Sequence, residues 1–257
     1  MYAVIHPSYT DLSDFVYQLP ARFRFAGEGE WIYKERNELK MFYTGNRKIV
    51  VKSFKVPHLL NRFVYAFFRP SKARRSYNYS LEILVRGFHA PAPVAYLETF
   101  AWGLLKNSYY ISEYTGGITM RQEFSFISPN TKEKTDILLA FAAFTARLHE
   151  AGIYHKDYSN GNILYTRDEN KKLHFELVDV NRMRFCRVNW KKGCKAFHRL
   201  DISIEMLRIV AAEYARLRNF DIERTIALTI ACNLKTMKPY TSFNLQPPAF
   251  RCISTEL

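Results

Sequence analysis

YHKDYSNGNILY, residues 154–165, sets a histidine, an aspartate and two asparagines inside an otherwise apolar run. Such a loop is either a turn or a piece of chemical machinery, and its surroundings decide which. His155, Asp157 and Asn162 stand in the spacing H-x-D-x-x-x-x-N, and two strand-like segments, NILYT and LHFELVDV, follow, the second carrying Asp179. Upstream, Lys52 interrupts the apolar strand IVVKSF, and Glu82 lies in a helical pattern. Taken singly, each has a plain explanation: a solvated edge lysine, a surface glutamate, a turn-forming aspartate.

Their order does not. A strand lysine, a helix glutamate, a loop with this Asp and Asn spacing, and an aspartate ending the next hairpin are laid out as in a kinase. The layout predicts an α+β, bilobal, protein-kinase-like fold. A small antiparallel sheet lobe with one main helix, residues 1–115, would bind nucleotide, and a larger, mainly helical lobe, residues 116–257, would carry catalysis. Phosphoryl transfer depends on positioning and charge neutralisation. Asp157 is therefore assigned as the base that orients the acceptor hydroxyl. Asn162 and Asp179 offer the oxygen ligands that Mg2+ prefers. Lys52 would hold the phosphates of ATP, Glu82 would pair with Lys52, and His155 would order the loop through hydrogen bonds.

The flanking pattern agrees. WIYK, LKMFYT and KIVVKSF, separated by polar turns, read as an antiparallel meander. Residues 73–88 have helical spacing and end at Pro91 and Pro93. Residues 95–104 and 109–113 read as strands, and Gly116-Gly117 marks the lobe boundary. Residues 132–150 form the clearest helix, with Ile137, Phe141, Phe144 and Leu148 on one stripe. Two more helical patterns cover 201–217 and 222–236. The phosphate loop is poor in glycine: Gly27-Glu28-Gly29 lies too far upstream, so the turn at residues 34–37 is the better candidate, with Lys34 and Arg36 supplying cations.

The chain has 257 residues and a net charge of +14. Residues 39–81 hold ten Lys or Arg and no acid, and residues 180–200 hold seven and no acid. Outside these runs, 21 bases face 24 acids, so the charge is local and implies an anionic partner. Residues 1–20 lack the features of a signal peptide, and no segment is apolar enough to span a bilayer. A cytoplasmic protein is the expectation. Phe63, Tyr65, Phe67 and Phe68 are interleaved with the first run, as in a surface resting against an anionic membrane or in a packed helix. Cys186, Cys194, Cys232 and Cys252 have no CxxC spacing and read as reduced thiols.

Residues 50–55 (VVKSFK), SLEILVRGFHAPAPVAY, HKDYSNGNILY and LVDVNRMRF together resemble the lipopolysaccharide core kinases, which phosphorylate sugars of the inner core. The resemblance covers about residues 30–200. It implies ATP and Mg2+, a hydroxyl of a 3-deoxy-D-manno-octulosonic acid (Kdo) or heptose residue as acceptor, and an adenine-reading hinge near Glu113 and Tyr114. Ser159 stands where Ser/Thr protein kinases carry a lysine, and the segment after Asp179 is short and basic. Both favour an anionic glycolipid or phosphorylated sugar over a peptide. The alternatives are a RIO-like atypical protein kinase and a pseudokinase binding module. No signature of nucleic acid binding is present.

Overall fold

The computed structural model describes residues 1–25, 27–34, 37–55, 69–126 and 132–236. Arg36, the aromatic-basic stretch with Arg62 and Phe63 to Phe68, Cys252 and the chain after 236 lie outside the described residues.

The chain runs β1 (Tyr2–Ile5), α1 (Ser13–Arg22), β2 (Glu30–Lys34), β3 (Glu38–Thr44), β4 (Arg47–Phe54), α2 (Lys72–Val85), β5 (Pro93–Ala101) and β6 (Leu104–Glu113). It continues through β7 (Ile118–Thr119), α3 (Met120–Phe126), α4 (Lys132–Glu150), β8 (Ile153–His155), β9 (Ile163–Arg167), β10 (Leu173–Leu177) and β11 (Met183–Phe185). Helices α5 (Trp190–Ala196), α6 (Ile204–Leu217) and α7 (Ile222–Leu234) follow.

Strands β1 to β6 form one sheet in the order β1-β5-β6-β4-β3-β2, antiparallel in every pair. Alternation along β4 explains why a lysine belongs in this apolar strand. Ile49 and Val51 face α1, where Phe15, Val16 and Leu19 bury them together with Phe42, Leu97 and Ile111. Val50, Lys52 and Phe54 point to the other face, on which α2 packs Ala73 and Tyr77 against Phe54 and Tyr96. The amino-terminal segment, read from sequence only as lacking the marks of a leader, pairs with the sheet edge at β5 and supplies this second cover.

The strands expected over 95–104 and 109–113 are one long hairpin. Its two-residue turn, Trp102-Gly103, takes positive φ at both positions, 55° and 72°, the backbone that matches the strand twist. A tryptophan in the left-handed region is why the turn escaped sequence reading.

The larger core lies below. Phe141 of α4 contacts Tyr158, Phe175 and Phe197 at ring-centroid distances of 5.7, 6.1 and 6.5 Å. Leu207, Val210 and Tyr214 of α6 complete it. Tyr214 Oη lies 2.9 Å from His149 Nδ1 and accepts from Arg218 Nη1 at 3.1 Å. Burial holds His149 neutral, its pKa pushed down to about 3. The same hydroxyl closes over Gly193 of α5, where an added Cβ would overlap it. Gly193→Ala must therefore displace a tyrosine fixed by two partners, and overpacking of this kind costs about 2–3 kcal/mol. The expected result is a melting temperature lowered by roughly 5–10 °C, and a thermal melt unchanged by the substitution would show that this junction yields.

Candidate active site

The loop after β8 is held in place by His155, Tyr158 and Asn160. Tyr158 is buried, stacks on Phe141 and shares a 2.9 Å hydrogen bond with Thr145 Oγ1. Asn160 Nδ2 donates to the Asp201 carbonyl at 3.0 Å. His155 Nδ1 accepts from the Asp157 N–H at 3.0 Å, so its Nε2 carries the proton and donates to the Val178 carbonyl at 3.2 Å. Burial lowers the pKa of the imidazole and keeps it neutral, as this pair of bonds requires. His155 thus ties the loop to the strand that leads into Asp179.

These anchors leave Lys156 exposed and Asp157 and Asn162 half-buried. Asn162 Nδ2 donates to the Asp157 carbonyl at 2.8 Å, and the Asn162 carbonyl accepts from the Val178 N–H at 3.1 Å. The second bond seats Asn162 beside Asp179. Asp179 is itself in the left-handed region, φ 53°, a conformation that costs a non-glycine residue energy and that clusters at functional sites. Asn181 Nδ2 bonds its carboxylate.

Lys52 Nζ lies 2.6 Å from Asp179 Oδ1. Burial alone would raise the pKa of the Asp179 carboxyl, but the Lys52 ammonium, with His155 and Arg182, outweighs it and holds the acid below its ordinary value. The pair expected between Lys52 and Glu82 is not formed. Glu82 Oε1 instead accepts from Arg86 Nε at 2.7 Å. The reason is azimuthal: α2 turns Ser76, Tyr77 and Ser80 inward, and Ser80 Oγ meets Tyr110 Oη at 2.9 Å beside Lys52. Two residues further on, Glu82 is rotated by roughly 200° from Ser80 and faces away. The sequence missed what links α2 to the site. Arg75, only 8% exposed, donates from Nη1 to the Asn181 carbonyl at 3.0 Å.

Sequence reading also missed the partners of Asp157. Arg182 Nη1 donates to its Oδ2 at 3.1 Å, and Arg199 Nη1 donates to its Oδ1. Their only signal in the sequence was membership of the second basic run.

At the other end of the sheet, Glu113 and Tyr114 use their N–H groups on the carbonyls of Ala92 and Lys48, at 2.9 and 2.8 Å. The Glu113 carboxylate also bonds the Tyr9 hydroxyl, whose pKa burial and this bond push up to about 12. Lys34 Nζ lies over the Trp31 ring at 4.7 Å; Lys34 pairs with Glu38, and Leu39, the next residue, pairs with Lys52. Gly27-Glu28-Gly29 sits further along, where Gly29 has φ 70° and abuts Phe42. The basic run of residues 39–81 is not one surface. Lys40 is fully buried, donating to the Phe25 and Glu28 carbonyls at 3.0 and 2.8 Å.

Among the described residues no cluster of three or more His, Cys, Asp or Glu side chains could hold a metal ion. One carboxylate and one amide remain, Asp179 and Asn162, both hard oxygen donors. That set suits Mg2+, which takes the rest of its shell from phosphates and water. The three described cysteines are free thiols.

A family model, the lipopolysaccharide kinase (Kdo/WaaP) family, matches residues 82–220. This span takes in Asp157, Asn162 and Asp179 and leaves Lys52 upstream. Among solved structures, WaaP in complex with acyl carrier protein superposes with a TM-score of 0.62 at 17% identity, over 93% of this chain and 100% of that one. This likeness shows the protein-kinase-like fold. The Mycobacterium tuberculosis PknI kinase domain, as a double mutant, gives a TM-score of 0.43 at 13% identity over 79% of this chain and 94% of its own. Monomeric WbdD gives 0.44 at 16% over 90% and 48%. No curated protein sequence matches the chain.

Proposed function

The chain belongs to the lipopolysaccharide kinase (Kdo/WaaP) family, and from that membership we propose that it transfers a phosphoryl group from ATP to a hydroxyl of a Kdo or heptose residue of the inner core. The observation that supports the reading is how the loop is tied to the Lys52–Asp179 pair. His155 links the Asp157 N–H to the carbonyl of Val178, the residue before Asp179, and Asn162 donates to the Asp157 carbonyl while its own carbonyl accepts from the Val178 N–H.

In this reading Asp157 receives the proton of the attacking hydroxyl, and its loop, fixed by His155, Tyr158 and Asn160, sets the direction of attack. Lys52 would hold the phosphates of ATP. Asn162 and Asp179 would hold Mg2+, which when bound neutralises charge on the phosphates. Residues 1–115 would form the nucleotide lobe and residues 116–257 the acceptor lobe. With the N–H groups of Glu113 and Tyr114 engaged by the Ala92 and Lys48 carbonyls, adenine would be read by other main-chain groups of this segment. Lys34 and Arg36 would close over the phosphates. No described helix is long and apolar enough to cross a membrane. We place the reaction on the cytoplasmic face, where a glycolipid acceptor would be presented by the inner membrane.

The missing Lys52–Glu82 pair favours one rival, a pseudokinase that binds nucleotide without turnover. Mass spectrometry separates the two. Incubation of a lipid A precursor bearing Kdo, with and without heptose, in ATP and magnesium is expected to add one phosphate, and chelation of magnesium to prevent it. Nucleotide binding without phosphate gain on either acceptor would overturn the sugar-kinase reading.

A further inference from the structure

We propose that Arg182 and Arg199 form a clamp for an acid group on the acceptor, a carboxylate or a phosphate, and that this group takes over hydrogen bonds which Asp157 now receives. The inference rests on the sugar-kinase reading and adds to it the feature of the acceptor that the enzyme recognises.

Three observations carry it. First, each guanidinium gives Asp157 one N–H, from Nη1, although the group has five donors in a planar fork suited to carboxylate or phosphate. Their side chains are 48% and 45% exposed, against 19% for Asp157, so both guanidinium groups are reachable from solvent beside the Asp157 carboxylate. Second, the geometry restricts what they can meet. A hydroxyl held by Asp157 lies about 3 Å from the carboxylate that both guanidinium groups also touch, so an acid group on the same sugar, a few bonds from that hydroxyl, comes within reach of these long side chains.

Third, the charge there is unbalanced. Lys156, next to Asp157, is fully exposed, yet its pKa is lowered by loss of hydration and then by Arg184, Arg69, Arg182 and Lys192. No Asp or Glu occurs in residues 180–200 to offset these cations. Asp179 is engaged by Lys52, and Glu82 by Arg86. Asp201 lies just past the run and meets the loop through its carbonyl, so Asp157 is the carboxylate that two arginines share, and an anion on the acceptor complements the remaining cations. Exchange of the arginines from Asp157 to that anion would also clear lone pairs of Asp157 for the acceptor hydroxyl, so that the base is opened by the molecule it serves.

The test compares acceptors that differ in one charge: a Kdo-bearing lipid A precursor against its methyl ester, and a phosphorylated heptose acceptor against the dephosphorylated one. In the wild-type enzyme the charged member of one pair is expected to have a kcat/KM higher by about tenfold to a hundredfold, the size of one charge-assisted hydrogen bond. The responding pair identifies carboxylate or phosphate as the recognised group. In Arg182→Gln and Arg199→Gln this preference should fall towards unity, mainly through acceptor KM, with the KM for ATP unchanged and partial recovery in Arg199→Lys. A preference that survives both substitutions, or a rise in the KM for ATP alone, would overturn the clamp and assign the arginines to the nucleotide. Equal use of all four acceptors by the wild type would overturn the clamp and leave the sugar kinase standing. Use of none would overturn both.

Discussion

Asp157→Asn is expected to lower kcat for glycolipid phosphorylation by about 10²- to 10⁴-fold, the contribution of a positioned general base. Asparagine has the same shape and keeps an oxygen for one of the two arginines, but it cannot take the proton of the acceptor hydroxyl. The loop should keep its form, because its anchors are elsewhere: His155 on the Val178 carbonyl, Tyr158 on Thr145 and Asn160 on the Asp201 carbonyl. The change is therefore expected in kcat, with the affinity for ATP and the melting temperature close to those of the wild type. Steady-state kinetics with a saturating acceptor, alongside a thermal melt, measures both. A loss of less than tenfold in a folded protein would remove Asp157 from the role of base.

Asp179→Asn is expected to cost roughly 10³-fold in kcat/KM, comparable to loss of one fixed electrostatic contact with the transition state. The substitution is chosen for its backbone. Asp179 has φ 53° and ψ 42°, and asparagine visits this left-handed region more readily than other side chains. The turn should survive while the charge that pairs with Lys52, and that would bind Mg2+, is lost. The magnesium concentration for half-maximal activity should rise in parallel. Asp179→Ala provides the contrast. It removes the same charge but places a Cβ with no polar compensation in the left-handed region, at a cost of about 1–2 kcal/mol, so it should melt below Asp179→Asn. Equal melting of the two would show that the turn at Asp179 stores no strain, and full activity of Asp179→Asn would take the metal role from this residue.

The two substitutions act on groups that were legible in the sequence, and the contrast with Glu82 shows why. His155, Asp157 and Asn162 lie within one loop, and Asp179 ends the adjoining hairpin, so spacing along the chain is nearly spacing in space. Helix α4 was equally plain, since Ile137, Phe141, Phe144 and Leu148 repeat at the helical period and are all buried. For Glu82 the period showed a helix but not the direction in which its single acid points. That direction follows from which residues of α2 the sheet accepts, and the sheet takes Ala73 and Tyr77.

The sequence by itself determined the fold class, the position of the His155–Asn162 loop and the residue types it offers. These depend on local periodicity and on the chemistry of individual side chains, and both are written in the order of residues. Only the tertiary structure decided how the charges pair. Lys52 meets Asp179, Arg199 reaches Asp157 across 42 residues, and Arg75 reaches the Asn181 carbonyl across 106. It also revealed that the first twenty residues cover one face of the sheet. An ion pair forms where packing of the apolar residues brings two charged atoms within a few ångströms. The packing that places them is collective, and no local pattern of charged residues records it.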